Sequence, residues 1–291
     1  DGGMATVYEG GYPLFTAPPD WAVPGVTERI NLPYFSTFNF TATYEPDAVI
    51  VELKKHNVKR LGWVSKQSIH FFFGEYLKEN LPEVDMVDAT DLVDKIKAVK
   101  SDEEIELIKE IAQMQDKVMA AIPSLIRTGI REYQLMAEIK QLAISLGSEE
   151  QWIMVCSAPP GVPGPSKPTF LQNREIQRGD VLKVLLEFSG RGGMYSHLDR
   201  VFSLGSPSKE LLNVFQDSAA LNDAAVKDLI PGAMPEDIFE AHNKLQVSMG
   251  YPPENRLFAH GQGYDLVERP GICMGEKMAI KKFEDSLKKL E

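Results

Sequence analysis

Cysteine is nearly absent: 291 residues carry two, Cys156 and Cys273. That count excludes a disulfide framework, and a reducing compartment is the default expectation. No apolar run approaches the ~18 residues of a membrane-spanning helix. The longest apolar stretches, such as Val181–Phe188, are interrupted by Lys183 or Glu187. An excess of basic residues is also lacking. The 31 Lys and Arg stand against 42 Asp and Glu, a formal net charge of −11. With no basic stripe in view, neither a nucleic-acid partner nor a membrane partner is expected. The first residues, Asp1-Gly2-Gly3-Met4, have no basic or apolar region of the secretory type. No leader is expected from them, and the expected location is cytoplasmic. The acceptor-like Asn39-Phe40-Thr41 therefore carries no glycosylation argument.

What is present is ordinary globular composition, 43% hydrophobic and 25% charged. The first ~100 residues alternate short apolar runs with helical patterns, as βα units do. Asp47–Lys55 and Ser68–Lys78 read as helices, Arg60–Val64 and Val84–Val87 as strands. The earlier stretch Tyr8–Pro33 holds five prolines and shows no sustained period. Thr90–Lys100 reads as a linker. Ser101-Asp102-Glu103-Glu104 then forms a capping box, in which the serine hydroxyl and Glu104 satisfy orphan N–H groups reciprocally. Ile105, Ile108, Ala112, Gln115, Val118 and Met119 follow at helical spacing, and Arg131–Leu146 reads as a second helix ended by Gly147. Next come a strand, Gln151–Cys156, and a loop, Ser157–Pro168, with five prolines. A hairpin follows, Val181–Phe188 to Tyr195–Leu204, with Gly190, Gly192 and Gly193 at its bend. Those glycines lack the Lys-Ser/Thr and the following helix of a phosphate loop. Ser206-Pro207 opens a helix, Pro235 opens another, and a strand near Leu257–Ala259 leads into His260-Gly261-Gln262-Gly263. Helices in runs and antiparallel strands in runs imply an α+β layer.

Four local signatures, in this order, resemble the creatinase/prolidase/methionine aminopeptidase family, whose fold is called pita-bread. They are Lys100-Ser101-Asp102-Glu103-Glu104-Ile105, Arg178-Gly179-Asp180-Val181, the stretch from Gly193 to Gly205 containing Ser196-His197-Leu198-Asp199-Arg200, and His260-Gly261-Gln262-Gly263 with Glu268-Arg269-Pro270. The resemblance covers most of 85–280, and 43–100 is similar to the second half of the family's N-terminal domain. It implies an α+β fold: an incomplete α/β N-terminal domain over 1–98 and a pita-bread catalytic-type domain over 99–291. The family's last strands are expected to be missing from this chain.

Peptidases of that family hold two divalent ions between two aspartates, a histidine and two glutamates. The resemblance places the second aspartate at His197 and the first, eleven residues earlier, at Leu186, with Glu187 adjacent. A one-residue shift turns a strand residue to the opposite face, so only a bulge at the bend would bring Glu187 round. His260 keeps the family's histidine frame; the second, substrate-contacting histidine falls at Val267. No glutamate after Glu268 precedes a proline. No dinuclear pair is therefore expected; the alternative is a divalent metal such as Mn, Co or Zn with ligands elsewhere. The family's metal-free creatinase-like branch uses a histidine in the segment matching Gly164–Phe170, where this chain has none.

The remaining acid/base candidates are His260 and His197, whose ordinary pKa lies nearest neutrality, with Glu187 and Glu268 to orient or activate them. Arg200 and Arg269, with Asp199, are the substrate-binding candidates, an arginine fork suiting a carboxylate. His242 lies on a helix's apolar stripe and reads as a core histidine. The expected protein is a hydrolase-like member acting on or binding a small amide, amidine or peptide-like substrate. The alternatives are a metal-dependent Xaa-Pro dipeptidase and a non-catalytic binding or scaffold protein. The resemblance and the run Phe71-Phe72-Phe73 imply a homodimer.

Overall fold

The computed structural model describes residues 6–11, 28–33, 43–162, 164, 173–255 and 257–273. The chain separates into two compact units, 1–93 and 94–291. In the first, the strands β1 (Thr6–Gly11) and β2 (Glu28–Pro33) pair in parallel, where sequence shows no regular period. The prolines between them lie outside the described residues. Helix α1 (Tyr44–Lys55), β3 (Arg60–Trp63), α2 (Phe71–Asn80) and β4 (Asp85–Asp88) follow. Strands β3 and β4 pair in parallel, as an intervening crossover helix permits. Ile50, Trp63, Leu77, Leu81 and Val84 form the core of this unit. Phe73 packs against that core, whereas Phe71 is 84% exposed.

The stretch read as a linker is a helix, α3 (Thr90–Ala98). It contains neither glycine nor proline, and Asp88 Oδ1 accepts from the Thr90 backbone N–H at 3.0 Å, which starts the first turn. With no glycine or proline to break it, the stretch is helical.

The second unit is built around a three-stranded antiparallel sheet with the helices Asp102–Leu125 and Glu132–Ser145 on one face. Helix α4 (Asp102–Leu125) opens with the expected capping box: Ser101 Oγ accepts from Glu104 N–H at 3.2 Å, and Ser101 N–H donates to Glu104 Oε2 at 2.7 Å. Helix α5 (Glu132–Ser145) follows. Strands β5 (Gln151–Ala158), β6 (Val181–Ser189) and β7 (Tyr195–Ser203) lie in the order β5-β6-β7. On β6 the side chains alternate. Leu182, Val184, Leu186 and Phe188 are fully buried against Ile111, Val118, Ile122, Leu135 and Ile139 of α4 and α5. Burying each such side chain contributes roughly 1.5–3 kcal/mol. Lys183, Leu185 and Glu187 therefore face away from the helices.

Helix α6 (Lys209–Asp228) begins later than Ser206-Pro207 suggests, because Ser208 Oγ caps it by accepting from Leu211 N–H at 3.1 Å. Helix α7 (Pro235–Ser248) packs Ile238 and Phe239 against Ile272 of the last strand. That strand, β9 (Glu268–Cys273), pairs antiparallel with β8 (Leu257–Gly261). His242 is buried in α7 and bonded to Gln246 Oε1 at 3.0 Å, a core histidine as expected. No described helix is long and apolar enough to cross a membrane. The segment Gly164–Phe170 and the tail Lys281–Glu291 fall outside the described residues, Gly164 excepted.

Candidate functional site

The sheet face turned away from α4 and α5 carries the chemistry. On β6 and β7 it presents Lys183 and Glu187 beside Tyr195, His197 and Asp199. Glu187 and His197 are register partners, and Glu187 Oε1 lies 3.3 Å from His197 Nδ1. The sequence comparison with the family required a bulge for this meeting. None is present in the β6–β7 ladder. The pairing is instead centred on Gly192: Ser189 pairs with Tyr195, and the bend between them turns through Gly192 (φ 82°) and Gly193 (φ 73°). Those left-handed angles are open to glycine and costly for other residues. The bend makes the spacing ten rather than eleven, so Glu187 and His197 share one face.

His260 arrives from β8. Its ring centroid is 5.9 Å from that of His197, with the rings tilted by 33°. His260 Nδ1 lies 2.8 Å from the carbonyl oxygen of Gly261. A carbonyl only accepts, so Nδ1 carries the proton and Nε2 is left as the basic nitrogen. Burial pushes the Glu187 carboxyl above its ordinary range; the His260 ring opposes this and Asp199 adds to it. Burial pushes the His197 imidazole below its ordinary value, and the neighbouring His260 adds to that shift. Both shifts favour uncharged forms. A carboxyl shifted up beside an imidazole shifted down narrows the gap between two groups 3.3 Å apart, the arrangement proton exchange requires.

Two residues missed by sequence reasoning shape this face. Gln115, fully buried in α4, donates through Nε2 to Leu186 O (3.3 Å) and Ser196 O (2.5 Å), pinning the strands next to the Glu187–His197 pair. In the sequence it is simply one position of an apolar stripe. A polar residue there signals a partner, because a buried amide needs one. Lys183 Nζ lies 3.0 Å from Asp199 Oδ2. Asp199 Oδ1 is buried and lacks a hydrogen-bond partner among the described residues.

The other candidates have partners of their own. Glu268, expected to orient or activate them, is held by Lys97 and Lys100, at 3.2 and 2.6 Å. Arg200 is an odd number of residues from His197 and so turns to the opposite face of β7. It pairs in register with Val184 of the core and donates through Nη1 to Asp199 O at 2.7 Å. Arg269 is exposed, with Nε 3.3 Å from Asp94 Oδ2. Asp199 stays on the site face but engages Lys183 rather than its neighbour Arg200.

The donor set was tested against the two-ion centre that the resemblance implies. Among the described residues no group of three or more His, Cys, Asp or Glu is arranged to hold an ion. Glu187 is spent on His197 and Asp199 on a lysine. Two dications require several free carboxylates to offset their charge, and these residues do not fit such a centre.

A 29% identical relative is an uncharacterized hydrolase/peptidase of Sinorhizobium fredii, matched over 79% of this chain and 55% of its own length. A creatinase of a Bacillus species is 27% identical over 66% of this chain and 47% of its own length. The Xaa-Pro dipeptidase of Pyrococcus horikoshii is 25% identical over 77% of this chain and 63% of its own. The chain thus spans about half to two thirds of the length of these relatives. Among solved structures, the prolidase from Pyrococcus horikoshii superposes with a TM-score of 0.70 at 21% identity, covering 85% of this chain and 67% of that one. The X-Pro aminopeptidase from Thermotoga maritima gives 0.67 at 19%, covering 79% and 65%. These likenesses establish the α+β pita-bread fold. The profile of the metallopeptidase family M24 matches residues 106–286, well over half the chain, and the chain belongs to that family.

Proposed function

We propose that this M24-family chain is a hydrolase that cleaves a C–N bond of a small amide, amidine or short peptide-like substrate by acid/base catalysis, without a dinuclear metal pair. The observation that carries this reading is the cluster of Glu187, His197 and His260 on one sheet face, with Glu187 Oε1 3.3 Å from His197 Nδ1. An imidazole whose Nδ1 is committed to a carbonyl turns Nε2 toward the substrate. In this scheme His260 Nε2 takes a proton from the attacking water, and the oxygen bonds to the substrate carbon. The proton shared by Glu187 and His197 passes to the leaving nitrogen as the C–N bond breaks. Proton transfer by positioned groups of this kind contributes typically ~10²–10⁴-fold. Asp199 Oδ1, an acceptor in want of a donor, suits a substrate N–H.

The test combines elemental analysis of the purified full-length protein with a screen of Xaa-Pro dipeptides, small amides and amidino acids. Activity in metal-free protein that falls ~10²-fold or more in His260→Ala supports the proposal. Two equivalents of Mn, Co or Zn, with activity lost on their removal, would replace it by a second reading. That reading is a metal-dependent Xaa-Pro dipeptidase whose remaining ligands lie in sequence outside this chain; the resemblance to a protein of that name favours it. We take the protein to act as a cytoplasmic homodimer, a contact suited to the exposed Phe71 and Phe72. Light scattering that gives a 32.5 kDa species at micromolar concentration would count against the dimer.

A further inference from the structure

Glu268 has a buried side chain, 3% exposed, yet three donors converge on it. Lys100 Nζ lies 2.6 Å from Oε2, Lys97 Nζ 3.2 Å from Oε1, and the Asp265 backbone N–H donates to Oε1 at 3.0 Å. Lys97 also bonds the Asp265 carboxylate. Both lysines come from the α3–α4 junction, so one buried carboxylate ties that junction to the turn between β8 and β9. Burial opposes ionisation of Glu268, but Lys100, the Asp265 N–H and Lys97 outweigh it and hold the carboxyl below its ordinary range.

The turn has no slack around this carboxylate. A Cβ on Gly263 would lie 2.6 Å from Glu268 Oε2, and a Cβ on Gly261 would lie 2.6 Å from Arg269 O. Both distances are far inside van der Waals contact: at Gly261 the obstacle is backbone, so glycine is required, while at Gly263 a methyl group would push the Glu268 carboxylate aside. On its other side the turn is hooked to the sheet: Gly263 O accepts from Tyr195 N–H at 2.7 Å. Tyr195 opens β7, two residues before His197 on the same face. His260 immediately precedes Gly261, and Gly261 is the register partner of Glu268.

We propose that Glu268 is a positioning residue: its carboxylate, clamped by Lys97 and Lys100, fixes the Gly261–Asp265 turn against Tyr195 and thereby sets the His260 ring beside His197. This assignment rests on the reading of the two histidines as the working pair, but the geometry can be measured without a substrate. A buried ion pair that served stability alone would leave the rings where they are when it is weakened. A positioning residue would not.

The experiment uses the full chain with ring-¹³C-labelled histidine, which gives five ring signals. Glu268→Gln keeps the shape and removes the charge that the lysines clamp. Gly263→Ala keeps the charge and displaces it with a methyl group. In each variant the cross-peak between the His197 and His260 rings is expected to be lost and both ring signals to move, while His242 in α7 stays unchanged. Retention of the cross-peak and of both shifts in either folded variant would overturn the assignment. So would movement of His242 by as much as His260, which would signal general loosening. If Glu268→Gln does not fold, Gly263→Ala and Lys100→Met give the same readout. Once a substrate is known, Glu268→Gln should lower kcat at least ~10-fold with KM nearly unchanged. Displaced rings with unchanged kcat would leave the latch standing and overturn the catalytic reading of the pair.

Discussion

Glu187 and His197 meet across the β6–β7 hairpin, Oε1 to Nδ1 at 3.3 Å, because the two strands pair about Gly192. The contact is buried on one side by the sheet itself and fixed from behind by Gln115, whose amide bonds the carbonyls of Leu186 and Ser196. A carboxyl raised by burial beside an imidazole lowered by burial is a pairing suited to moving a proton and costly to hold ionised.

Glu187→Gln separates those two properties. The amide keeps a hydrogen-bonding group opposite His197 but cannot release a proton. On any substrate found by the screen, kcat is expected to fall ~10²-fold or more. Thermal stability at pH 7 should stay level or rise, because the cost of ionising a buried carboxyl disappears. A variant that keeps kcat within two- or threefold would remove Glu187 from the proposed chemistry.

Much of this architecture is legible in the residues. The Ser101–Glu104 capping box, the apolar stripe of α4 and the hairpin with its glycine bend all declare themselves through local chemistry. His197 and His260 stand out because few other residue types titrate near neutrality. What escaped the sequence is whatever depends on register or on partners far along the chain. Facing Glu187 toward His197 takes the length of the bend as well as the alternation of the strands. A partner of Glu268, Lys100, lies 168 residues earlier, so its clamp could not be read from local sequence. Arg200 drew attention by charge beside His197, yet strand alternation alone sets it on the other face.

Gln115→Ala tests how the hairpin is held. The substitution removes the two hydrogen bonds to the Leu186 and Ser196 carbonyls and leaves a gap in a buried position. An unfolding cost of about 1–3 kcal/mol is expected. Chemical denaturation would show it as a lower midpoint at constant slope. A cost below ~0.5 kcal/mol would mean that water or a neighbour replaces the amide.

The Arg174–Asp180 pair predicts a pH dependence of stability. Asp180 is buried, which alone would raise its pKa. The Arg174 guanidinium and the Gln177 N–H outweigh burial and hold the carboxyl below its ordinary range. A folded pKa below the unfolded one means that Asp180 stabilises the fold above the ordinary aspartate range. That contribution disappears as pH falls through the lowered folded value. Asp180→Asn should therefore lower Tm at pH 7, and the gap to the parent should close as the pH falls below the ordinary aspartate range. Scanning calorimetry across that range would show it; a gap independent of pH would place the effect in shape rather than charge.

Lys183 and Arg200 make the sharpest contrast, since both are cations on the same hairpin. Arg200 turns to the helix-packed side of β7, is exposed, and reaches the carbonyl of its own neighbour Asp199. Arg200→Ala is expected to change stability by no more than ~0.5 kcal/mol and kcat/KM by less than twofold. Lys183 lies on the site face, 3.0 Å from Asp199 Oδ2, and its charge is felt by His197. Lys183→Ala strips Asp199 of that partner while Oδ1 already lacks one. Both partners are about a third exposed, so the stability cost should be modest, ~1 kcal/mol. The larger effect should be on KM, about tenfold upward, because Asp199 would no longer be held in line with Glu187 and His197. Should Arg200→Ala prove the more damaging of the two in kcat/KM, the substrate would have to approach from the helix side, and the face assigned to catalysis would be the wrong one.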